Sequence, residues 1–322
     1  MDLLSDKSHL KTILMSKRAN IYYLEYCKII QNGGRVEFLT QEKDKQAYWN
    51  IPIANTTVLL LGCGTSITQA AVRMLAAAGV MIGFCGGGGS PLFAGNDVEF
   101  LSAQSEYRPT EYVQKWLSFW FKPEKRLAVA KYFQRIRLEN IKRIWSKEKL
   151  FEEYGIYTDD SDFENFTRNM IAGVESATSV QNLLEVEGRT TKRIYAFIAR
   201  SVGFFGDFKR DENASDCANI FLNHGNYLAY GLAATALWTL GIPHSFAVMH
   251  GKTRRGALVF DVADLYKDAV VLPTAFVCAQ RGDTDRDFRD TLMDLIVDKH
   301  EILNGMIESI KEVCDTFGEE IL

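Results

Sequence analysis

The strongest constraint on this chain is a change of hydrophobic period between residues 95 and 110. Before it, apolar residues come in short runs rich in aromatic and β-branched side chains, divided by turn residues. Such runs suit strands, whose successive side chains point to opposite faces. Ile21–Ile30 reads as one strand, Asn32-Gly33-Gly34 as a turn, and Arg35–Thr40, Ala47–Ile53 and Thr57–Leu61 as further strands, with Pro52 favouring a strand end. Thr65-Ser-Ile-Thr68 opens a helix to about Ala78, closed by Gly79. Val80–Cys85 is another strand, and Gly86–Pro91 a flexible turn. Beyond Pro109 apolar residues recur at helical spacing over long segments: 110–117, 124–150, 166–202, 216–238 and 288–317. Pro273 is expected to divide or kink the helix that carries it. The fold class is therefore α+β with two domains: a small, mostly β domain over residues 1–105 and a larger all-α domain over 106–322.

Composition narrows the functional classes. Hydrophobic content of 47% and charged content of 24% are those of a globular protein. No apolar run reaches the length of a membrane span, and the N-terminus lacks the basic-then-apolar order of a secretory signal. Six scattered cysteines without a Cys-x-x-Cys pair argue against a zinc ribbon and for free thiols in a reducing cytoplasm. The net charge is −4, yet Lys122–Lys149 holds ten Lys/Arg against three Glu. A basic face on an acidic protein points to nucleic acid, although Lys and Arg stems also cover apolar surface.

Two glycine-rich stretches invite a nucleotide reading. Gly62-x-Gly64 ends a strand, but Ile67 stands where the fingerprint's third glycine belongs and no acidic residue ends the next strand. Gly86–Gly89 lacks the following Gly-Lys-Ser/Thr of a phosphate loop. Tight turns explain both.

The chemistry concentrates in Val248–Asp264. Leu258, Val259, Val262 and Leu265 have helical spacing, so Asp261 and Asp264 project from one face as i,i+3 neighbours. His250 lies 11 residues before Asp261, across a glycine-containing loop that can fold it back. Two carboxylates and an imidazole suit Mg²⁺ or Mn²⁺; an i,i+3 Asp pair is also the ordinary pattern of a solvated face. Upstream, Gly188 sits inside a helical pattern, where glycine costs about 1 kcal/mol relative to alanine. That cost calls for a reason, such as close approach of another backbone or a ligand.

Taken in order, Ile51-Pro-Ile-Ala-Asn55, Leu59-Leu-Leu-Gly-Cys-Gly-Thr-Ser-Ile-Thr68, Leu183-Leu-Glu-Val-Glu-Gly-Arg189, Asn219-x-x-Leu222-x-x-x-x-Tyr227 and His250…Asp261-x-x-Asp264 resemble the CRISPR-associated integrase-nuclease, the larger member of the pair that captures new spacers. The details look most like the Ypest-type subfamily of type I systems. The resemblance implies four metal ligands, Glu187, His250, Asp261 and Asp264, that hold Mg²⁺ or Mn²⁺ and serve as the catalytic residues. Where many members continue with Arg-Pro, Tyr266-Lys267-Asp268 follows here. Glu185, His224 and His244 are nearby decoys: Glu185 is two residues off the ligand's helical face, His224 reads as a core group, with a hydrogen bonder behind the ligands as the alternative, and His244 as structural.

The implied activity is metal-dependent DNA cleavage and strand transfer, a 3′-hydroxyl attacking a phosphodiester of the repeat, with a non-catalytic DNA-binding scaffold as the alternative. Lys192, Arg193, Arg254, Arg255, Arg135, Lys142 and Arg143 are the candidate DNA contacts. The resemblance further implies a homodimer formed through the β domains. It also implies a small companion adaptation protein, fused in this subfamily to the interference helicase-nuclease.

Overall fold

The computed structural model describes residues 20–42, 45–85, 99–101, 110–204, 208–211, 216–251 and 256–319. The chain divides into two compact units, Met1–Gly83 with Phe100–Glu106, and Phe84–Glu99 with Tyr107–Leu322.

The first unit carries two four-stranded sheets. Strands β1 (Asn20–Leu24), β5 (Thr56–Leu61), β7 (Met81–Phe84) and β8 (Glu99–Leu101) form one, in the order β1-β5-β7-β8. Strands β4 (Lys45–Ile51), β3 (Arg35–Glu42), β2 (Lys28–Asn32) and β6 (Ser66–Ile67) form the other, in the order β4-β3-β2-β6. The expected single strand over Ile21–Ile30 is thus two strands in different sheets. Tyr26, with φ 48°, turns the chain between them, and a non-glycine residue in that region is uncommon. Helix α1 (Gln69–Ala77) begins later than its expected start, because Ser66–Ile67 pairs in parallel with β2. Thr68 is the true cap, its hydroxyl accepting from Ala71 N–H. Gly86–Pro91 lies outside the described residues.

The second unit is helical. Helix α2 (Glu111–Trp120) is followed by α3 (Pro123–Trp145), α4 (Lys149–Glu153), α5 (Ser161–Ser176), α6 (Val180–Ser201), α7 (Cys217–Thr239), α8 (Ala257–Ala263), α9 (Lys267–Arg281), α10 (Asp285–Met293) and α11 (Ile302–Phe317). The segment expected as one helix over 166–202 breaks at Ala177–Ser179, where Ser179 caps α6 by accepting from Asn182 N–H at 3.1 Å. Asp216 caps α7 in the same way. The last helix is interrupted by a π-helical stretch, Asp294–Lys299, and by Glu301 at φ 46°. Helices α7 and α9 form the buried centre, each apolar nearly all round.

Pro273 neither ends nor divides α9. A helix-interior proline leaves the carbonyl four residues back without its N–H partner. Here Ala269 O accepts from the Trp145 indole N–H at 3.0 Å instead. That bond also ties α9 to α3, the helix that carries a charge into the site.

Candidate metal centre

Three elements of the helical unit bring the site together. On α6, Leu183, Val186, Thr190, Ile194 and Phe197 are buried, which places Glu187 and Thr191 on the flank of the packed face. The loop before α8 brings His250, and α8 ends on Asp264. One ligand atom from each of Glu187, His250 and Asp264 lies within 4.8 Å of the others. Two ligands on opposite sides of an ion bound at about 2.1 Å stand about 4.2 Å apart. The three side chains therefore need only a small contraction to hold one ion. One imidazole nitrogen and carboxylate oxygens suit Mg²⁺ or Mn²⁺ better than a soft metal.

Asp261, the fourth expected ligand, stands apart from that cluster of three. Its fully buried carboxylate accepts from Val248 N–H at 2.7 Å, Met249 N–H at 3.1 Å and His250 N–H at 3.1 Å. The His250 ring Nδ1 lies 2.6 Å from the same carboxylate. Four donors saturate the group, so no lone pair is left for an ion. The i,i+3 spacing puts both aspartates on one side of α8, but Asp261 points back into the loop. It fixes the imidazole with Nδ1 as donor and Nε2 toward Asp264, 3.9 Å from its Oδ2.

A buried charge network surrounds the cluster. Arg137, 1% exposed, donates through Nε to Asp268 at 2.8 Å and through Nη2 to the same oxygen. Its Nη1 donates to Glu187 at 3.2 Å and its Nη2 to Thr191 Oγ1 at 2.8 Å. The Lys267 ammonium pairs with Asp264. Counting Asp261, Asp264, Asp268 and Glu187 against Arg137 and Lys267 leaves two surplus negative charges.

The surplus shows in the titrations. At His250 burial disfavours the charged ring, but the Asp261 hydrogen bond and the Asp264, Asp261 and Glu187 charges outweigh it and raise the pKa. Burial, helped by Asp264, raises Glu187 against the pull of Arg137 and Lys267. At Asp264 burial is overcome by Lys267, Arg137 and His250, and the pKa is lowered. Burial opposes the charge on Arg137 and Lys267 too, yet their carboxylate partners hold both firmly protonated.

Sequence reasoning missed Arg137, Lys267 and Asp268. Arg137 had been counted within the basic run, but it lies in the row of Phe133 and Ile141, and a charge on an apolar row was the available signal. Other members of that run are engaged internally: Lys122 and Lys125 pair with Glu319, and Arg135 pairs with Glu175. Lys142, Arg143, Lys192 and Arg193 are exposed. Arg254 and Arg255 lie outside the described residues. Among the decoys, Glu185 is exposed, and the His244 carbonyl accepts from Leu258 N–H at 2.9 Å. His224 is no core group: half-buried, it pairs with Asp285. The fingerprint-like glycines serve packing. A β-carbon at Gly62 would stand 2.7 Å from Glu25 Cγ, and Gly64 at φ 67° lies against Tyr26.

A carboxylate–histidine cluster in a helical unit, on a chain with a separate β unit, is the arrangement that the resemblance to the CRISPR-associated integrase-nucleases implies. The chain belongs to the family described as CRISPR associated protein Cas1, whose family model matches residues 23–306. It is 53% identical over 313 residues to the CRISPR-associated endonuclease Cas1 of Pseudomonas aeruginosa, covering 95% of this chain and 96% of that one. It is 50% identical over 327 residues to the protein of that name from Pectobacterium atrosepticum, covering 100% of both.

Solved structures share the fold. TtCas1 in complex with DNA matches with TM-score 0.68 at 23% identity, covering 94% of each chain. A casposase bound to integration product matches with TM-score 0.69 at 12% identity, covering 94% of this chain and 92% of that one. A partial Cas6-RT-Cas1–Cas2 complex matches with TM-score 0.60 at 14% identity, covering 93% and 95%.

Proposed function

We propose that this chain is a divalent-metal-dependent DNA endonuclease and integrase of CRISPR adaptation, which inserts new spacer DNA into the repeat array. The observation that carries the reading is the convergence of Glu187, His250 and Asp264 beside a network with two surplus negative charges. A bound Mg²⁺ or Mn²⁺ would neutralise charge on a phosphate oxygen and stabilise the leaving oxygen. Glu187, His250 Nε2 and Asp264 are the proposed ligands, and Asp261 orients the imidazole. Arg137 steadies Glu187 through its guanidinium and leaves the carboxylate's other oxygen to the ion. Lys267 sits on Asp264 and limits the negative charge that DNA must approach. Cleavage uses water; strand transfer uses a 3′-hydroxyl in direct transesterification, so neither requires a protein nucleophile.

The DNA-bound Cas1 and the casposase on its integration product support DNA as substrate, and the Cas1–Cas2 assembly supports a small companion protein as partner. Lys142, Arg143, Lys192 and Arg193 are proposed to hold phosphates, where each contact adds salt-dependent affinity. In the β unit Tyr48 and Trp49 are 55% and 57% exposed on strand β4, at a sheet edge, and serve the proposed homodimer. Sedimentation of Trp49→Ala should show dissociation, and an unchanged dimer refutes that surface. The activity is tested by Mn²⁺-dependent nicking with Glu187→Ala, His250→Ala and Asp264→Ala. Each should lose activity; full activity in any of them removes that residue, and intact DNA binding without nicking in the parent protein favours the scaffold reading.

A further inference from the structure

Three glycines inside the helices, Gly173, Gly225 and Gly305, have a visible packing reason, and Gly188 does not. A β-carbon on Gly173 in α5 would stand 2.9 Å from Val186 Cγ1. One on Gly225 in α7 would strike Val271 and approach Phe288 to 3.1 Å, and one on Gly305 in α11 would strike the Tyr266 side chain. Each of those glycines lets two helices approach. Gly188, in the middle of α6, differs: among the described residues its β-carbon would meet nothing within 4 Å. The residue gives up helix stability relative to alanine and gains no close packing among the described residues.

Its position gives the missing reason. Along α6 the half-buried row Leu184, Glu187, Thr191 and Tyr195 borders the exposed surface, and Gly188 is exposed next to it. It follows the ligand Glu187 directly, about 100° further round the helix, and Lys192 stands one turn beyond it on the same face. At Gly188 the helix surface beside the cluster thus carries no side chain, with the Lys192 cation one turn away.

We propose that Gly188 is a positioning residue: the sugar-phosphate backbone of DNA lies against this bare turn of α6, closer than any side chain would permit, so that a phosphodiester reaches the ion held by Glu187, His250 and Asp264. The inference rests on the reading of that cluster as a metal-dependent DNA site. The group excluded is any atom beyond Cα, and the Lys192 ammonium takes the neighbouring phosphate.

Three variants test it: Gly188→Ala, Gly188→Leu and, as control, Ala196→Leu, which adds the same bulk to exposed surface two turns along α6. Mn²⁺ binding without DNA is measured by calorimetry, folding by thermal melts, and DNA turnover by nicking and strand-transfer kinetics. Gly188→Ala should melt at the same or a higher temperature and bind Mn²⁺ within about twofold of the parent, yet lose about tenfold in kcat/KM; Gly188→Leu should lose about a hundredfold, since misplacement of a reacting group by about 1 Å costs that much. Ala196→Leu should leave all readouts unchanged. Wild-type turnover in Gly188→Leu overturns the inference. So does loss of Mn²⁺ binding in Gly188→Ala, which would assign the glycine to the metal centre's own folding. An equal loss in Ala196→Leu overturns it as well. Should the parent protein fail to bind Mn²⁺ or to act on DNA, the reading beneath falls and this inference with it; Mn²⁺ binding and activity in the parent, together with a fully active Gly188→Leu, defeat this inference alone.

Discussion

Replacing Asp261 by asparagine separates a ligand from a group that aims a ligand. The carboxylate takes two donors on each oxygen: Val248 N–H and Met249 N–H on Oδ2, and His250 N–H with ring Nδ1 on Oδ1. An asparagine of the same shape offers one acceptor oxygen and turns an NH₂ toward the other pair. Hydrogen bonds to a charged group contribute about 1.5–3 kcal/mol each, so losing two sets an upper bound of about 3–6 kcal/mol on stability. Relaxation of the loop reduces this. If the NH₂ faces the ring, the imidazole moves its proton to Nε2 and the lone pair toward Asp264 is lost. Groups that orient a metal-bound histidine are worth about 10–100-fold in metal affinity, or about 1.4–2.8 kcal/mol. Calorimetric titration of Mn²⁺ into folded Asp261→Asn should show a loss in that range, with Asp264→Asn losing more. An unchanged affinity would refute the positioning role. A loss as complete as that of Asp264→Asn would refute the claim that Asp261 is not itself a ligand.

Arg137→Met should destabilise by about 3–5 kcal/mol, because Asp268 is left buried and unpaired; the double variant Arg137→Met/Asp268→Leu should recover much of this in denaturant titrations, and a mild single variant would contradict the network. The metal-free protein should lose stability as pH rises from the carboxylate range through the folded pKa of His250. Both Glu187 and His250 have raised pKa values, so their contribution is present at low pH and disappears above it. Asp264, with its lowered pKa, acts oppositely and only in acid. Mn²⁺ binding must displace the retained protons, so its affinity and its thermal stabilisation should grow from pH 5.5 to 8, with proton release seen as a buffer-dependent heat; a flat profile would contradict this. Lys192→Ala should weaken all DNA sequences alike and lower the salt slope of binding by about one, and an unchanged slope would remove Lys192 from the interface.

The change of period near residue 100 made the α+β division legible, because strands and helices write different spacings into the chain. The separated motifs single out Glu187, His250 and Asp264, the three side chains that the fold brings within reach of one another. The different setting of Asp261 was not legible, because i,i+3 spacing fixes a shared face but not the donors each carboxylate will meet; those come from the backbone at 248–250 and the His250 ring. Arg137 was hidden by its neighbours, since a count of charges over 122–149 cannot tell a solvated lysine from a guanidinium buried beside Phe133. The breaks at Tyr26 and Glu301 were illegible for a related reason: both take a left-handed conformation in which glycine or asparagine is the usual signal.

Pulsed electron paramagnetic resonance of the Mn²⁺-loaded protein tests the centre most directly. A directly coordinated imidazole nitrogen should appear in the parent, vanish in His250→Ala and persist in Asp261→Asn with weakened loading, while Glu187→Ala and Asp264→Ala bind Mn²⁺ poorly. Mn²⁺-dependent nicking by a protein whose spectrum shows no nitrogen coupling, or full metal loading without Glu187, would contradict the account.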